Sequence, residues 1–145
     1  MVMHRGYHIT NIERPFPGDS VLISVTDLYG VIIDANDELV MVSGYQRDEL
    51  IGQTHNLLRH PEMPNAMFDD LWDTLKHEYS WRGIVKNRCK NGDHFWADEV
   101  ITPIYQNGEV IGYRARQTKA DNHSINMAQG LYTHLQSPAS KSRFI

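Results

Sequence analysis

Three strand-like segments in the second half of the chain restrict its fold more than any other feature. They cover residues 81–90, 94–105 and 110–118, and polar and apolar residues alternate along the first of them. One Asn-Gly pair, at 91–92, separates the first two segments, and another, at 107–108, separates the last two. Asn-Gly between two such segments is a strong signal for a β-hairpin. The pattern therefore predicts a three-stranded antiparallel meander.

Two further strands and several helices are predicted around this meander. Asn36 precedes an apolar run that ends at Gly44, which is the pattern of a helix with an asparagine N-cap and a glycine stop. From Pro64 onward, apolar residues recur at intervals of three and four, opposite a face of aspartates. We expect strands at 21–27 and 31–34, helices at 36–45, 46–53, 64–78 and 121–135, and short helical pieces and loop in the region up to residue 63.

The grouping of strands and helices predicts an α+β fold with a five-stranded antiparallel sheet. Short helices and one longer helix would cover one face of the sheet and enclose a pocket for a cofactor. We divide the chain into an N-terminal arm at 1–20, a main domain at 21–120, a connecting helix at 121–136 and a tail at 137–145. Prolines and a glycine suggest that the arm is loosely structured, and the tail is expected to be disordered.

Composition excludes several functional classes. The 18 acidic residues outnumber the 14 basic ones, which gives a net charge of -4 and disfavours nucleic-acid binding. The single cysteine, Cys89, cannot form an internal disulfide. No apolar run approaches the roughly 18 residues of a membrane span, and no signal peptide is recognisable. Because no nucleophile–base, metal-ligand or paired-carboxylate pattern appears either, we expect a cytoplasmic protein that is not an enzyme.

The first strand of the meander has two chemically different faces. One face is cationic and is expected to contact water; it carries Arg82, Ile84, Lys86, Arg88 and Lys90. The opposite face should therefore point into the core, and it carries Trp81, Gly83, Val85, Asn87 and Cys89. A buried amide requires hydrogen-bond partners, since leaving one unmade costs roughly 1–3 kcal/mol. Asn87 is accordingly expected to bond either a ligand or backbone in a neighbouring loop.

Two further strand residues are candidates for the same pocket. Trp81 can form the aromatic wall against a flat cofactor, or it can simply pack in the core. Gln117 shares a strand face with Ile111, Tyr113 and Ala115, so it either reaches the pocket or lies at an exposed strand end.

A cationic pair, Arg59-His60, precedes the predicted helix at 64–78. Helix N-termini favour anions, and arginine binds phosphate through two parallel hydrogen bonds, so the pair suggests a phosphate site. The alternative is an ion pair with Glu62, Asp69 or Asp70, which would contribute little at the surface. From chemistry alone the ion pair is the simpler interpretation.

Four motifs together resemble a known family. They are "DANDELVMVSGY" at 34–45, "RHPEMP" at 59–64, "WRGIVKNRCKNGDHFW" at 81–96 and "GYRARQTKA" at 112–120. Over roughly residues 18–122 the chain resembles a PAS domain, specifically the N-terminal PAS domain of Aer-type bacterial aerotaxis receptors. It resembles the flavin-binding PAS domains of NifL-type redox regulators less closely.

The resemblance implies a non-covalent FAD and a response to redox state or oxygen. It assigns Arg59 and His60 to the polar half of FAD and Asn87 to the flavin ring, with Gln117 near flavin N5 as in LOV relatives. The other implied pocket residues are Trp81, Val85, Asn36 (chiefly an N-cap) and Glu62, which stands where the family is expected to have aspartate. The implied partners are a HAMP and chemoreceptor-type signalling module or a separate output protein, and a second copy bound through the arm and the sheet face.

Three alternatives to the flavin sensor follow from the same fold. A haem-binding gas sensor would need an axial histidine, for which His60 and His77 are the candidates. A ligand-free dimerisation module would need no pocket. A blue-light sensor is rejected, because Cys89 lies on a strand and the helical "GxNCRFLQ" segment that carries the reactive cysteine of LOV domains is absent.

Overall fold

The computed structural model describes residues 2–4 and 7–136, so the tail at 137–145 lies outside the described residues. The strands are β1 (Val2–His4), β2 (Tyr7–Ile9), β3 (Leu22–Asp27), β4 (Ile32–Ala35), β5 (Trp81–Arg88), β6 (His94–Gln106) and β7 (Glu109–Lys119). The helices are α1 (Asp37–Ser43), α2 (Arg47–Leu50), α3 (Asn65–Lys76) and α4 (Asn122–Leu135), with one 3₁₀ turn at His55–Leu58.

Five of the strands form one antiparallel sheet in the order β4-β3-β7-β6-β5. The predicted meander is present as β5, β6 and β7, and its second turn places Asn107 and Gly108 in the left-handed region, as a tight hairpin turn requires. Helix α3 lies against one face, here called the inner face, and α4 lies against the outer face. The α+β prediction with a five-stranded antiparallel sheet is confirmed.

The helix boundaries follow from local chemistry. Asn36 Oδ1 accepts the backbone N–H of Leu39 and begins α1, and Gly44 ends it at φ 79°. Helix α3 begins directly after Pro64, and the Asp121 carboxylate caps α4 by accepting the N–H of Ser124. No helix in the described ranges is both long and apolar enough to cross a membrane.

The expectation of a loosely structured arm is wrong for the part of the arm that the structure describes. Strands β1 and β2 pair with each other, and the backbone that follows runs along the β5–β6 turn. Thr10 N–H donates to the Gly92 carbonyl, and Arg14 N–H donates to that of His94. Phe16 is buried against Phe95, with ring centroids 5.7 Å apart. These contacts fix the arm to the domain although its local sequence carries only turn signals.

The outer face of β5 is also less exposed than predicted. Arg82 is exposed as expected, but Lys86 is buried, because α4 covers this part of the sheet. Tyr132 of α4 stacks on Trp96, and its hydroxyl donates to the Ile84 carbonyl. Strand periodicity identifies the two faces correctly but cannot show that a later helix packs on the cationic one.

Short chain segments pair with both edge strands of the sheet. On the β5 edge, Arg59 forms a bridge with Asn87, and His60 N–H donates to the Lys86 carbonyl. On the β4 edge, Ile32 N–H donates to the carbonyl of Gln53. The pairing on the β5 edge brings the predicted cationic pair beside Asn87.

Candidate functional site

A cavity of about 70 Å³ lies between the inner face of the sheet and α3. This inner cavity exceeds several-fold the roughly 10–15 Å³ that a single water requires, so it can hold part of a larger molecule. Its walls are mainly apolar: Phe68, Leu71, Trp72 and Leu75 come from α3, and Val85, Ile101, Tyr113 and Ala115 come from the sheet. The lining therefore suits an apolar part of a ligand.

Three polar side chains form a hydrogen-bonded row, and two of them, Asn87 and Glu99, line the inner cavity. Asn87 Nδ2 donates to Gln117 Oε1 at 2.7 Å, and Gln117 Nε2 donates to Glu99 Oε2 at 2.7 Å. We call Asn87, Gln117 and Glu99 the amide–carboxyl row. All three are buried, and each lies on a different strand of the meander. Gln117 is buried, so it is not at an exposed strand end, but it does not itself line the inner cavity.

Glu99 is the most unusual member of this row, because it is an ionisable group with only 4% of its surface exposed. Its neighbour across β5 is Gly83, and its neighbour across β7 is Gln117. Burial raises the pKa of the Glu99 carboxyl to about 7, although the hydrogen bond from Gln117 acts in the opposite direction. The group can therefore gain or lose a proton near neutral pH.

A histidine and a serine occupy another part of the site. His55 Nε2 lies 3.1 Å from Ser24 Oγ, and His55 lines the inner cavity beside Asn56. Burial lowers the pKa of His55 to about 4. The imidazole is consequently neutral at physiological pH, so it contributes a hydrogen-bonding group to the cavity and no charge.

Arg59 holds the cationic position at the cavity. Its guanidinium donates to the Met63 carbonyl and, at 2.7 Å, to Asn65 Oδ1 at the start of α3. It also stacks on Phe68, 3.8 Å from the ring centroid. Arg59 is therefore fixed between the N-terminus of α3 and the cavity lining.

His60 and Glu62 do not line the inner cavity. The His60 side chain is fully buried, and its Nδ1 accepts the backbone N–H of Glu62 at 3.1 Å. The Glu62 carboxylate pairs with Lys86 on the outer face, and its carbonyl accepts from Gln136. These two residues shape the Arg59 segment and connect it to the end of α4.

Of the remaining predicted site residues, one lines the inner cavity and two stabilise the fold around it. Val85 lines the inner cavity, as predicted, but Trp81 does not. The Trp81 ring covers Gly83, where a Cβ atom would lie only 2.4 Å from it, and its Nε1 donates to Asp70. Asn36 bonds the backbone of Val21, just before β3, that of Ile23 in β3 and that of Leu39 in α1. Trp81 and Asn36 thus stabilise the fold around the site.

Sequence reasoning missed Glu99, His55 and Trp72, all of which line the inner cavity. The period-2 rule that oriented β5 also applies to β6, where Glu99 shares a face with the buried Ala97 and Ile101. That signal was available for Glu99. His55 lies in a 3₁₀ turn, whose short length carries no usable periodicity.

Two side chains that were considered for other functions, Cys89 and His77, lie outside the inner cavity lining. Cys89 is buried outside the inner cavity, and burial raises the pKa of its thiol to about 11. His77 is exposed at the end of α3, and its Nδ1 lies 2.8 Å from the Asp73 carbonyl. Across residues 2–4 and 7–136, no group of three or more histidine, cysteine or acidic side chains is placed to hold a metal ion.

Comparison with known proteins identifies related sequences. A family model described as the PAS fold matches residues 32–115. The chain is 43% identical over 136 residues to the aerotaxis receptor of Escherichia coli strain K12, covering 94% of the chain and 27% of the receptor. It is 32% identical over 133 residues to the nitrogen fixation regulatory protein of Klebsiella oxytoca, covering 91% and 26%. The chain spans about a quarter of the length of these curated relatives.

Solved structures with the same architecture support the fold assignment. The dark structure of the blue-light photoreceptor Aureochrome1 LOV has a TM-score of 0.68 at 17% identity, covering 77% of this chain and 84% of that one. The PAS domain of a protein from Colwellia psychrerythraea has a TM-score of 0.63 at 28% identity, covering 69% and 86%. The first of these similarities shows the fold alone.

Proposed function

The chain belongs to the PAS domain family, and from this premise we propose that it is a sensory module that binds FAD and responds to redox state or oxygen. Similarity to an aerotaxis receptor supports the sensory role. The observation that carries the flavin proposal is Asn87, a buried amide on the floor of an apolar slot, next to a fixed arginine.

The inner cavity offers the chemistry that a flavin ring requires. Leu71, Val85 and Ile101 provide apolar surfaces for the two ring faces. Asn87 Oδ1 has no donor among the residues of the described ranges, so it can accept an N–H from the ring edge. The remainder of the ring would extend toward Trp72, which is partly exposed. A bound flavin supplies reversible electron transfer, and these residues bind it, orient it and exclude water.

Arg59 is the proposed partner of the FAD pyrophosphate. The side chain combines charge with a planar set of donors that matches phosphate oxygens. The adjacent N-terminus of α3 adds backbone N–H groups and a favourable dipole. His60, which lies outside the cavity lining, is proposed to stabilise the segment that carries Arg59.

The proposed output route leads from β5 to α4. Asn87 contacts the site, and the adjacent Lys86 pairs with Glu62 on the outer face. Gln136, at the end of α4, donates to the Glu62 carbonyl. A change in hydrogen bonding at Asn87 would alter the strand that carries Lys86 and thereby bias the position of α4.

The wider setting of the domain belongs to the same proposal. We propose a cytoplasmic sensor without enzymatic activity, whose output is a HAMP and chemoreceptor-type module or a separate protein. Pairing of two copies through the N-terminal arm and the sheet face is part of this proposal. The two histidines considered for haem, His60 and His77, both lie outside the inner cavity lining, and the histidine within that lining, His55, has its Nε2 3.1 Å from Ser24 Oγ.

The absorption spectrum of the purified protein tests this proposal first. Flavin bands, with FAD identified after heat release, are the expected result, and dithionite should bleach them reversibly. A Soret band would instead identify haem as the bound cofactor. A colourless protein that does not take up added FAD would contradict the proposal and leave a dimerisation module.

A further inference from the structure

The amide–carboxyl row has a fixed direction when Glu99 is ionised. A carboxylate can only accept hydrogen bonds, so Gln117 must turn Nε2 toward it. Gln117 Oε1 then remains to accept from Asn87 Nδ2. This leaves Asn87 Oδ1 as the group for the inner cavity, and no residue that the structure describes donates to it. The charge on Glu99 therefore determines the orientation of two amides.

We propose that Glu99 controls which hydrogen-bonding group Asn87 presents to a ligand in the inner cavity. Ionised Glu99 holds Asn87 with its acceptor, Oδ1, toward the ligand. Protonated Glu99 can donate to Gln117 Oε1, so both amides can rotate by half a turn and Asn87 can present the donor Nδ2 instead. Both hydrogen bonds within the row are retained, and the only chemical change is a proton taken from solvent.

The surroundings of Glu99 allow both protonation states. The side chain is buried, and burial raises the pKa of its carboxyl to about 7. The ionisable groups that line the same cavity are His55 and Arg59 before α3, Lys86 on β5 and Tyr113 on β7. Burial keeps the pKa of His55 low, at about 4, and the Lys86 ammonium group is turned to the outer face. The lining side chains of α3, by contrast, are all apolar.

The ligand selected by ionised Glu99 is a planar ring with an N–H donor on its inner edge. The imide edge of a flavin has this chemistry, so this inference rests on the proposed function. A ring that offers only acceptors to Asn87 would leave two acceptors facing each other, which costs roughly 1–3 kcal/mol of unmade hydrogen bonding. Such a ring would require the protonated form of Glu99.

Nuclear magnetic resonance of the full chain, without added flavin, tests this inference directly. The side-chain amide signals of Asn87 and Gln117 should shift between about pH 5 and pH 9. The midpoint of these shifts should equal the midpoint at which the carboxyl signal of Glu99 titrates. The shifts should disappear in Glu99→Gln and persist in Asp98→Asn, the adjacent carboxylate that pairs with Arg82. Gln117→Met should uncouple Asn87 while Glu99 still titrates. The proposal would be overturned if the amide signals did not change as Glu99 titrates. It would also be overturned if Glu99 did not titrate in this range.

FAD affinity gives a second and separate readout. In the wild-type chain, affinity should rise about three- to tenfold across the Glu99 titration, and this dependence should be absent in Glu99→Gln. A chain that does not bind FAD would contradict the proposed function, whereas the amide titration would still decide the role of Glu99. FAD binding with the same pH dependence in Glu99→Gln and the wild type would count against the role of Glu99 alone.

Discussion

The Lys86 ammonium group, buried on the outer face of β5, pairs with the carboxylate of Glu62 in the segment before α3. The two residues differ in exposure, since the Lys86 side chain is 9% and the Glu62 side chain 47% exposed. Glu62 therefore loses little solvation in the pair, while Lys86 depends on it for its charge to be satisfied. The pair links the segment that carries Arg59 to the part of the outer sheet face that α4 covers.

Removal of the two partners should have unequal effects. Glu62→Ala leaves a buried ammonium without its carboxylate and should lower the free energy of unfolding by about 1–3 kcal/mol. Lys86→Met replaces the charge with an apolar side chain of similar length and should cost less. Urea unfolding of both variants measures the difference. A Lys86→Met variant that is clearly less stable than Glu62→Ala would contradict this expectation.

Glu99→Gln should stabilise the protein at high pH and not at low pH. Since burial raises the pKa of Glu99 from 4.5 to about 7, the cost of its charge is absent below pH 4.5 and complete above about pH 7. At roughly 1.4 kcal/mol per pH unit, the advantage of the variant should grow by about 3 kcal/mol over this range. Urea unfolding at several pH values measures it, with Asp98→Asn as the control. The effect of His55 is common to both proteins and cancels.

Arg59→Gln should weaken the binding of FAD but not of riboflavin, which lacks the pyrophosphate. The loss of a charged hydrogen bond, worth roughly 1.5–3 kcal/mol, corresponds to at least about a tenfold lower affinity. Fluorescence titration with both flavins makes the comparison. Arg82→Gln, an exposed arginine paired with Asp98, is the matched control. Equal losses of affinity for FAD and for riboflavin would show that Arg59 does not bind the pyrophosphate.

Asn36→Ala should reduce stability without changing flavin affinity. The side chain caps α1 and also bonds the backbone of Val21 and Ile23. Loss of the cap alone costs about 1 kcal/mol, and the two further bonds should increase that value. Thermal unfolding measures the first effect, and flavin titration below the transition measures the second. A weaker flavin complex in a folded variant would assign Asn36 to the cofactor.

Cys89 should be unreactive in the folded protein. Burial raises the pKa of its thiol to about 11, and Sγ lies 3.4 Å from the Val42 carbonyl. Its thiolate fraction near neutral pH should be roughly 100-fold below that of a free cysteine. Alkylation in buffer and in urea compares the two states. Rapid alkylation in buffer would indicate that the Cys89 region opens easily.

The predictable part of the structure depends on local periodicity. The Asn-Gly turns and the alternation along β5 predicted the meander and placed Val85 and Asn87 on the inner face correctly. The same rule grouped Gln117 with Tyr113 and Ala115, which are all buried, but it left open whether Gln117 reaches the pocket or lies at an exposed strand end. The stretch between Asn36 and Gly44 was predicted because capping is a local interaction.

The missed part depends on contacts between distant segments. The arm follows the β5–β6 turn through backbone hydrogen bonds, which any sequence can form. Lys86 is buried because α4, more than thirty residues later, packs over it. Trp81 lies beside the pocket because Gly83 provides space for its ring. Glu99 was missed because a charged residue in a strand usually contacts water.

The segments paired with the two outer strands also determine how this sheet can meet other chains. An exposed edge strand is a template on which a foreign strand can align, and this is a common start of aggregation. Here the backbone at Arg59 and His60 occupies the edge of β5, and that at Gln53 occupies the edge of β4. Extension of the sheet by another chain at Lys86 and Asn87 of β5, or at Ile32 of β4, would first require these segments to leave. Recognition of a partner should therefore proceed through side chains on the faces of the domain.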